Sequence, residues 1–255
     1  MANAVLISSR LKRWVYRRSR LTVVAPSQWL GGLARESALS RFPLHHIPYG
    51  LDTEIYEPLD RETCKTLLGI SPKKRVVLFG APDLNDARKG GDLLVTSLQN
   101  LPPSLGNNVV LLTMGEGGEV LSKAVTLKAL HLGYVANDRL KTIAFSAADL
   151  FLFPTRADNL PVVLQESMAC GTPVVSFQVG GVPELVLPGV TGYLARSEDA
   201  KDFADGIVSL LDDEPLRLEM GKRGRERVMR EYGLDQQARK YIELYRKMLN
   251  RTSQA

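Results

Sequence analysis

Short apolar runs that alternate with longer helical patterns constrain the fold of this chain more than any other feature. The segments RVVLFG at 75–80, VVLLTM at 109–114 and LFLF at 150–153 are apolar at successive positions, as expected for parallel strands covered on both faces. Strands are predicted over 21–25, 44–48, 75–80, 108–114, 128–132, 149–154, 173–177 and 192–195, and helices near 27–38, 60–68, 90–99, 136–147, 160–170 and 198–212. This alternation predicts an α/β fold with a doubly wound, Rossmann-like parallel sheet.

Two segments interrupt the alternation and divide the chain. The stretch IPYGLDTEIYEPLD at 47–60 contains Pro48, Gly50 and Pro58, which is typical of a linker. Residues 214–255 are helical and charged with no strand between them, and the last part is amphipathic. We therefore predict a strand-helix-strand remnant with its linker at 1–56, a ligand-binding domain at 57–230 and a C-terminal helix at 231–255.

The composition excludes several classes of protein. No apolar run approaches the roughly 20 residues of a membrane-spanning helix, and the N-terminus does not resemble a secretory signal, so a cytoplasmic protein is expected. Cys64 and Cys170 lie far apart and belong to no metal-ligand motif, which predicts small core residues and neither a zinc site nor a disulfide framework.

The net charge of +5 is unevenly distributed. Residues 10–20 hold six Lys or Arg side chains interleaved with Leu11, Trp14, Val15 and Tyr16. Two interpretations remain open: a solvated helix face, or a surface that rests on an anionic membrane or an acidic acceptor. Nucleic-acid binding is not expected, because no basic-aromatic recognition motif accompanies the charge.

The most informative stretch is 149–187, DLFLFPTRADNLPVVLQESMACGTPVVSFQVGGVPELVL. A buried strand ends at Pro154, and the polar loop TRADN follows at the strand's carboxyl end, where open α/β sheets bind ligands. A helix is predicted to begin near Leu160 or Pro161 and to stop at Gly171. Its first N–H groups and its dipole favour a phosphate.

Two carboxylates flank the start of this helix. Asp158 and Glu166 are eight residues apart and span at most about 12 Å at the helical rise. This is the length scale between the sugar ring and the ribose of a nucleoside diphosphate sugar. Asp158 alone is equally well explained as a loop or N-cap residue. Glu166 lies in the apolar and small run VVLQESMACG, where a carboxylate needs a partner.

These residues resemble the donor-site signature of retaining glycosyltransferases with the GT-B fold, family 4 or group 1. That signature has two acidic residues separated by seven others, a MACGTPVV segment and a GG.PE turn. The chain has Asp158, seven residues, Glu166, MACGTPVV and GGVPE. Asp158 departs from the usual Glu, and Tyr49 departs from the usual IPNG linker.

The resemblance extends over most of the chain and implies further roles. FGAPDLNDARKGGDLL at 79–94 resembles the first strand-loop-helix of the donor domain, with Arg88 and Lys89 on the diphosphate. Asp158 would hold the donor sugar and Glu166 the ribose, while Asn159 and Leu160 would offer N–H groups near the phosphates. The nucleobase would lie on the backbone of Gly133, Tyr134 and Val135. Gly181 and Glu184 would shape the rim.

For a complete enzyme, the resemblance implies transfer of a sugar from a UDP- or GDP-sugar to an acceptor hydroxyl with retention, without a metal or other cofactor. The acceptor would be a glycan or a lipid-linked molecule. Most of the family's acceptor-binding domain is missing from the chain, so a partner chain that supplies it is one expectation. Three alternatives compete with this interpretation. One is a non-catalytic nucleotide-sugar-binding subunit, and another is a nucleotide-sugar epimerase, which is disfavoured because MACGTPVV is a transferase pattern. The third is a basic nucleic-acid or membrane adaptor.

Overall fold

The computed structural model of the chain describes residues 11–252, and its N-terminal part is small. Residues 11–17 are helical (α1). Strand β1 (Val23–Ala25), helix α2 (Gln28–Arg35) and strand β2 (Leu44–His46) follow. The two strands pair in parallel, with Val23 opposite Leu44. The predicted strand-helix-strand unit is therefore present, whereas residues 1–10, which include Arg10 of the basic cluster, lie outside the described residues.

The larger part of the chain is built on a second, six-stranded sheet. Its elements are α3 (Arg61–Leu67), β3 (Arg75–Asp83), α4 (Gly91–Gln99), α5 (Pro103–Gly106), β4 (Val109–Glu116), α6 (Gly118–Ala124), β5 (Lys128–His131), α7 (Asp138–Ala147), β6 (Leu150–Phe153), α8 (Val162–Ala169), β7 (Val174–Phe177), β8 (Gly192–Ala195), α9 (Ala200–Asp212), α10 (Glu214–Glu231) and α11 (Leu234–Thr252). Short 3-10 helices occupy Ala87–Lys89 and Val182–Glu184.

All strands of the larger sheet are parallel, in the order β5-β4-β3-β6-β7-β8. Buried clusters cover both faces, which explains the uninterrupted apolar runs. The strand order reverses between β3 and β6, and the carboxyl ends at such a reversal form the ligand crevice of doubly wound folds. The predicted α/β, Rossmann-like parallel sheet is confirmed.

Each predicted strand is present, with ends that differ by a few residues. The helix predicted from Leu160 or Pro161 begins at Val162, with Pro161 in the N-cap position. Helices α1, α5 and α6 were not predicted. Helix α5 has only four residues and α6 has seven, and both are too short to show a clear apolar period.

The C-terminal helices fasten the linker to the larger sheet. The Arg225 side chain on α10 donates hydrogen bonds to the carbonyls of Thr53 and Ala169, at 3.0 and 2.9 Å. The N–H of Leu51 donates to Tyr232 at 2.7 Å, and the N–H of Leu234 donates to Leu51 at 3.1 Å. The linker is therefore held in one position. The C-terminal helix predicted over 231–255 begins at Leu234, and residues 253–255 lie outside the described residues.

Within residues 11–252, the helices are too short or too polar to cross a lipid bilayer.

Candidate functional site

A cavity of about 360 Å³ opens at the carboxyl ends of β3 and β4, beside the start of α8. Gly80, Ala81 and Pro82 line one side, and Leu160, Val162 and Val163 line the other. Four charged side chains also line it, namely Lys89, Lys141, Asp158 and Glu166. The cavity thus lies at the reversal of strand order, where the fold predicts a ligand.

Lys89 reaches the cavity because of the turn that carries it. It ends the 3-10 helix Ala87–Lys89, which Asp86 caps through the N–H of Arg88 at 2.9 Å. Gly90 follows with φ +73°, and a Cβ at this position would lie 1.9 Å from the carbonyl oxygen of Pro154. Glycine therefore allows the turn to approach β6 closely, and the Lys89 ammonium lies 2.9 Å from Asp158 Oδ2.

The neighbouring Arg88 is not brought into the cavity. Its side chain is 62% exposed and pairs with Asp86 at 3.0 Å. The Arg88 backbone has a different use, because its carbonyl accepts hydrogen bonds from the N–H of Arg156 at 2.9 Å and from Thr155 Oγ1 at 3.0 Å. The two predicted diphosphate cations therefore differ, and only Lys89 lines the cavity.

The loop that carries Asp158 is packed against a pair of glycines. Gly180 has φ +53°, and a Cβ there would lie 2.0 Å from the Asp158 carbonyl oxygen. A Cβ on Gly181 would lie 1.7 Å from the Asn159 carbonyl oxygen, and the Gly181 N–H donates to Asp158 at 3.1 Å. Gly181 therefore packs directly against the loop that carries Asp158 and donates a hydrogen bond to it. Its predicted role at the rim of the site stays a prediction.

The start of α8 is only partly as predicted. No side chain caps this helix, and Leu160, which is 3% exposed, lines the cavity beside it. The N–H of Asn159, in contrast, donates to Asp158 Oδ1 at 2.9 Å. The neighbouring carboxylate therefore accepts this hydrogen, and the role of the Asn159 N–H near a phosphate stays a prediction. The Asn159 side chain contacts Ser27 of the N-terminal part.

Glu166 has the partners that its burial demands. Its side chain is 14% exposed, and Oε1 accepts a hydrogen bond from the Tyr56 hydroxyl at 3.1 Å and lies 4.0 Å from Lys141 Nζ. The same hydroxyl lies 2.7 Å from Asp138 Oδ1. Burial raises the pKa of Glu166, while Lys141 and Tyr56 oppose the increase.

The segment Gly133–Val135 lies on the β4 side of the cavity. The Gly133 carbonyl accepts a hydrogen bond from Gly115 at 2.8 Å. Val135 is buried and lines the cavity, and Tyr134 lines it with 65% of its surface exposed. The backbone at Tyr134 and Val135 is therefore next to the cavity, as the prediction for a nucleobase requires.

Glu184 is directed away from the cavity, toward the N-terminal part. Its two carboxylate oxygens accept hydrogen bonds from the N–H groups of Gln28 and Trp29, both at 2.8 Å, at the start of α2. Both oxygens therefore take part in a contact between the two parts of the chain, and the role of Glu184 at the rim stays a prediction.

A family model described as glycosyl transferases group 1 matches residues 61–227, which include Lys89, Asp158, Glu166 and Glu184. The chain belongs to the glycosyltransferase group 1 family.

The chain is similar in sequence to curated enzymes from several bacteria. The chain is 28% identical over 208 residues to the N-acetyl-alpha-D-glucosaminyl L-malate synthase of Bacillus anthracis, covering 76% of the chain and 51% of that protein. It is 31% identical over 179 residues to the D-inositol 3-phosphate glycosyltransferase of Mycolicibacterium smegmatis, covering 66% of the chain and 40% of that protein. The chain therefore spans about half the length of the curated relatives it matches.

Solved structures of glycosyltransferases share the fold. Sucrose-phosphate synthase from Thermosynechococcus elongatus superposes with a TM-score of 0.80 at 26% identity, covering 90% of this chain and 58% of that one. Anabaena HepE in complex with UDP and glucose superposes with a TM-score of 0.76 at 22% identity, covering 92% and 66%. These superpositions agree with the GT-B fold that the sequence resemblance predicts.

Sequence reasoning missed three polar residues of this group 1 site. Tyr56 lies in the linker, and Asp138 and Lys141 lie on the first turn of α7. The spacing of Asp138 and Lys141 is typical of an ion pair on a helix face, which the structure shows at 3.0 Å. Nothing local indicates that this pair faces Glu166, and Tyr56 is 110 residues away from Glu166 along the chain.

Proposed function

We propose that this chain binds the donor substrate of a glycosyltransferase, a nucleoside diphosphate sugar, and that the whole protein transfers the sugar with retention to an acceptor hydroxyl. Such a reaction belongs to the biosynthesis of a polysaccharide, glycolipid or glycoconjugate. The observation that carries the proposal is the cavity, which is lined by Lys89, by residues at the start of α8 and by the carboxylates of Asp158 and Glu166. A diphosphate fits between these positive groups, and each carboxylate can accept hydrogen bonds from hydroxyl groups at one end of the donor.

The Lys89 ammonium has the main electrostatic role in this proposal. It is 16% exposed and is paired with Asp158 at 2.9 Å. A leaving diphosphate gains negative charge, and a fixed cation beside a helix N-terminus stabilises that charge. Donor binding would transfer part of Lys89's interaction from Asp158 to the diphosphate, which leaves Asp158 free to accept from the sugar hydroxyls. Arg88 stays a predicted second cation.

The other end of the donor is proposed to occupy the α7 side of the cavity. Glu166 would accept hydrogen bonds from the ribose hydroxyls, and the backbone at Gly133, Tyr134 and Val135 would hold the base. The HepE structure named above contains UDP, and this supports a UDP-sugar as the first donor to test. A GDP-sugar is the alternative that follows from the sequence resemblance.

Donor binding is proposed to need no metal or other cofactor, because Lys89 and the start of α8 supply the positive charge. Titration with donor should give the same dissociation constant in EDTA as in magnesium. A loss of binding in EDTA that magnesium restores would contradict this part of the proposal.

A thermal-shift panel of UDP-glucose, UDP-N-acetylglucosamine, GDP-mannose and ADP-glucose tests the proposal. A ligand that binds the folded state raises the melting temperature as its concentration increases. We expect one nucleotide class to do so, with a smaller increase at the same donor concentration in Lys89→Ala. If every donor leaves the melting temperature unchanged at millimolar concentration, the proposed function is wrong.

A non-catalytic donor-binding subunit is the second candidate. In this candidate the cavity binds the donor, and a partner chain supplies the acceptor-binding part for a glycan or lipid-linked acceptor. Donor hydrolysis and transfer by the purified chain discriminate the two candidates. Turnover that needs an added partner chain supports the subunit, and turnover by the chain alone excludes it.

Peripheral membrane contact through residues 11–20 is also proposed, since α1 presents both apolar and basic side chains. Leu11 and Trp14 are 59% and 55% exposed, and the Arg18 guanidinium lies 4.2 Å from the centre of the Trp14 ring. Such a surface suits the interface of an anionic leaflet. Sedimentation with phosphatidylserine vesicles should exceed that with phosphatidylcholine vesicles and should fall with salt. Equal sedimentation would contradict the contact.

A further inference from the structure

Tyr56 occupies an unusual place for a residue of an interdomain linker. Its side chain is 4% exposed, and its hydroxyl lies between two carboxylates from different helices, 2.7 Å from Asp138 Oδ1 on α7 and 3.1 Å from Glu166 Oε1 on α8. A phenol hydroxyl has one proton to donate. Two acidic side chains therefore share one donor at the edge of the cavity.

The backbone around Tyr56 fixes the position of this donor. Arg225 on α10 donates to the carbonyls of Tyr56 and Thr53, and Thr142 on α7 donates to the carbonyl of Ile55 at 3.0 Å. The N–H of Tyr56 donates to Asp52 at 3.1 Å. The backbone at Tyr56 is therefore held by contacts to α7, α10 and Asp52, which limits where the hydroxyl can lie.

The groups around Glu166 have opposing effects on its pKa. Burial and the negative charge of Asp138 favour the neutral acid, whereas Lys141 and the Tyr56 hydroxyl favour the carboxylate. Burial also raises the pKa of Tyr56, so the phenol keeps its proton and remains a donor. At the C-cap of α8, Cys170 lies one helical turn after Glu166, and burial raises its pKa to about 12, so it stays a neutral thiol. Lys89, Asp158 and Tyr134 are the other titratable groups of the cavity.

We infer that Tyr56 is the positioning residue of Glu166: its hydroxyl keeps this carboxylate ionised and turned toward the cavity, so that protonation of Glu166 in acid weakens donor binding. This inference rests on the proposed function, because it takes Glu166 as the acceptor of ribose hydroxyls. A carboxylate accepts from both hydroxyls of a diol, whereas a protonated carboxyl has a hydrogen where one acceptor is needed. Asp138 opposes Tyr56 by competing for the same proton and by adding a second negative charge.

The test is the pH dependence of donor affinity in conservative variants. Wild-type chain is titrated with UDP-glucose, or with whichever donor of the thermal-shift panel binds, from acid to alkaline pH. An esterified diphosphate lacks the second ionisation of a terminal phosphate, so the ligand itself contributes no step near neutrality. Affinity should be constant at alkaline pH and should fall by up to tenfold per pH unit below the midpoint set by Glu166.

The variants should move this midpoint in opposite directions. Tyr56→Phe keeps the ring but removes the donor, so the midpoint should rise by about one pH unit, as expected for a lost hydrogen bond to a charged group. Asp138→Asn removes the competing charge, so the midpoint should fall. Tyr193→Phe is the matched control, since Tyr193 also donates to a carboxylate, Asp202 at 2.6 Å, but lies on β8. Its midpoint should equal that of the wild type.

A purely structural role for Tyr56 would change the melting temperature or the alkaline affinity without moving the midpoint. Coincident midpoints for the wild type and Tyr56→Phe, or shifts of Tyr56→Phe and Asp138→Asn in the same direction, would overturn the inference. If Tyr56→Phe does not fold, Asp138→Asn alone decides, and an unchanged midpoint overturns the inference. A wild-type chain that binds no donor at any pH contradicts the proposed function instead, so the two failures are distinguishable.

Discussion

The two ends of the larger sheet each hold a buried carboxylate, but with very different surroundings. At the amino end, Asp149 is 1% exposed and accepts from Lys65 Nζ at 2.9 Å and from the Val76 N–H at 2.8 Å. The guanidinium groups of Arg61, Arg75 and Arg217 lie 3.8, 3.9 and 3.7 Å away. At the carboxyl end, Glu166 borders a cavity of about 360 Å³ and has one hydrogen-bond donor, Tyr56, and a lysine at 4.0 Å.

Asp149 therefore has its partners within the protein, whereas Glu166 lines a cavity where a ligand can contact it. Asp149 is surrounded by protein cations, and burial lowers the pKa of two of them, Lys65 and Arg217, so these cations depend on its negative charge. Glu166 keeps oxygen lone pairs directed at an open volume, at a cost in desolvation that raises its pKa. A carboxylate that can accept further hydrogen bonds beside a cavity is suited to bind a ligand. Groups with shifted pKa values are concentrated at ligand-binding and catalytic sites.

The largest expected effect is a loss of stability, from a substitution at the amino end of the larger sheet. Asp149→Ala removes the carboxylate that lies 2.9 Å from the buried Lys65 ammonium and leaves Arg217 without its buried partner. Breaking a buried pair by removing one member costs about 3–5 kcal/mol. Urea unfolding should show this loss. Asp149→Asn, which retains an oxygen for the Val76 N–H, should lose less, and a loss below about 1 kcal/mol in Asp149→Ala would mean that the cluster is not structural.

The second-largest expected effect is on donor binding, from a substitution at the carboxyl end of the larger sheet. Lys89→Ala removes the cation that faces the proposed diphosphate, and donor affinity should fall at least about tenfold, or 1.4 kcal/mol. The melting temperature of the free chain should change little, because Asp158 keeps the N–H of Asn159 as a donor. Isothermal titration measures the first quantity and thermal unfolding the second. An unchanged titration curve would discredit the site.

Substitution of Glu166 tests the comparison further, because it should weaken donor binding without lowering the stability of the chain. Glu166→Gln should weaken donor binding about tenfold, as should Glu166→Ala, since the carboxylate would no longer accept from both ribose hydroxyls. Because the pKa of Glu166 is raised in the folded chain, the folded state binds this proton more tightly than the unfolded state. Stability contributed by the neutral group is therefore lost as pH rises from the unfolded to the folded pKa. At neutral pH the melting temperature of Glu166→Gln should equal or exceed that of the wild type, and a marked decrease would assign Glu166 a structural role like that of Asp149.

The smallest effect is expected for Arg88. Its side chain is 62% exposed and pairs with Asp86, so Arg88→Ala should change donor affinity by less than about threefold, as is typical of an exposed pair. Titration of Arg88→Ala beside Lys89→Ala makes the comparison. Equal losses in the two variants would mean that Arg88 turns toward the diphosphate when the donor binds, as the sequence resemblance predicts.

The parts of this molecule that sequence predicts are those fixed by local pattern. Buried parallel strands such as β3, β4 and β6 are contiguous apolar runs, and α8 is bounded by Pro161 and Gly171. The sequence also indicates that Glu166 needs a partner. It does not identify Tyr56 as that partner, because the contact joins the linker to α8 across 110 residues.

The sequence also does not predict the direction in which an individual side chain points. Arg88 and Lys89 are adjacent and chemically alike, yet the 3-10 turn and Gly90 send only Lys89 into the cavity. Glu184 belongs to the GGVPE signature, but its carboxylate caps α2, more than 150 residues earlier in the chain. Such directions depend on tertiary contacts that no local pattern encodes.

The most direct test of the account is an experimental structure of the chain with a bound nucleoside diphosphate sugar. We predict the diphosphate between Lys89 and the first turn of α8, the ribose hydroxyls on Glu166 and the sugar hydroxyls on Asp158. A donor bound elsewhere, or a cavity that stays empty at saturating donor, would contradict the central claim that this cavity is a donor site.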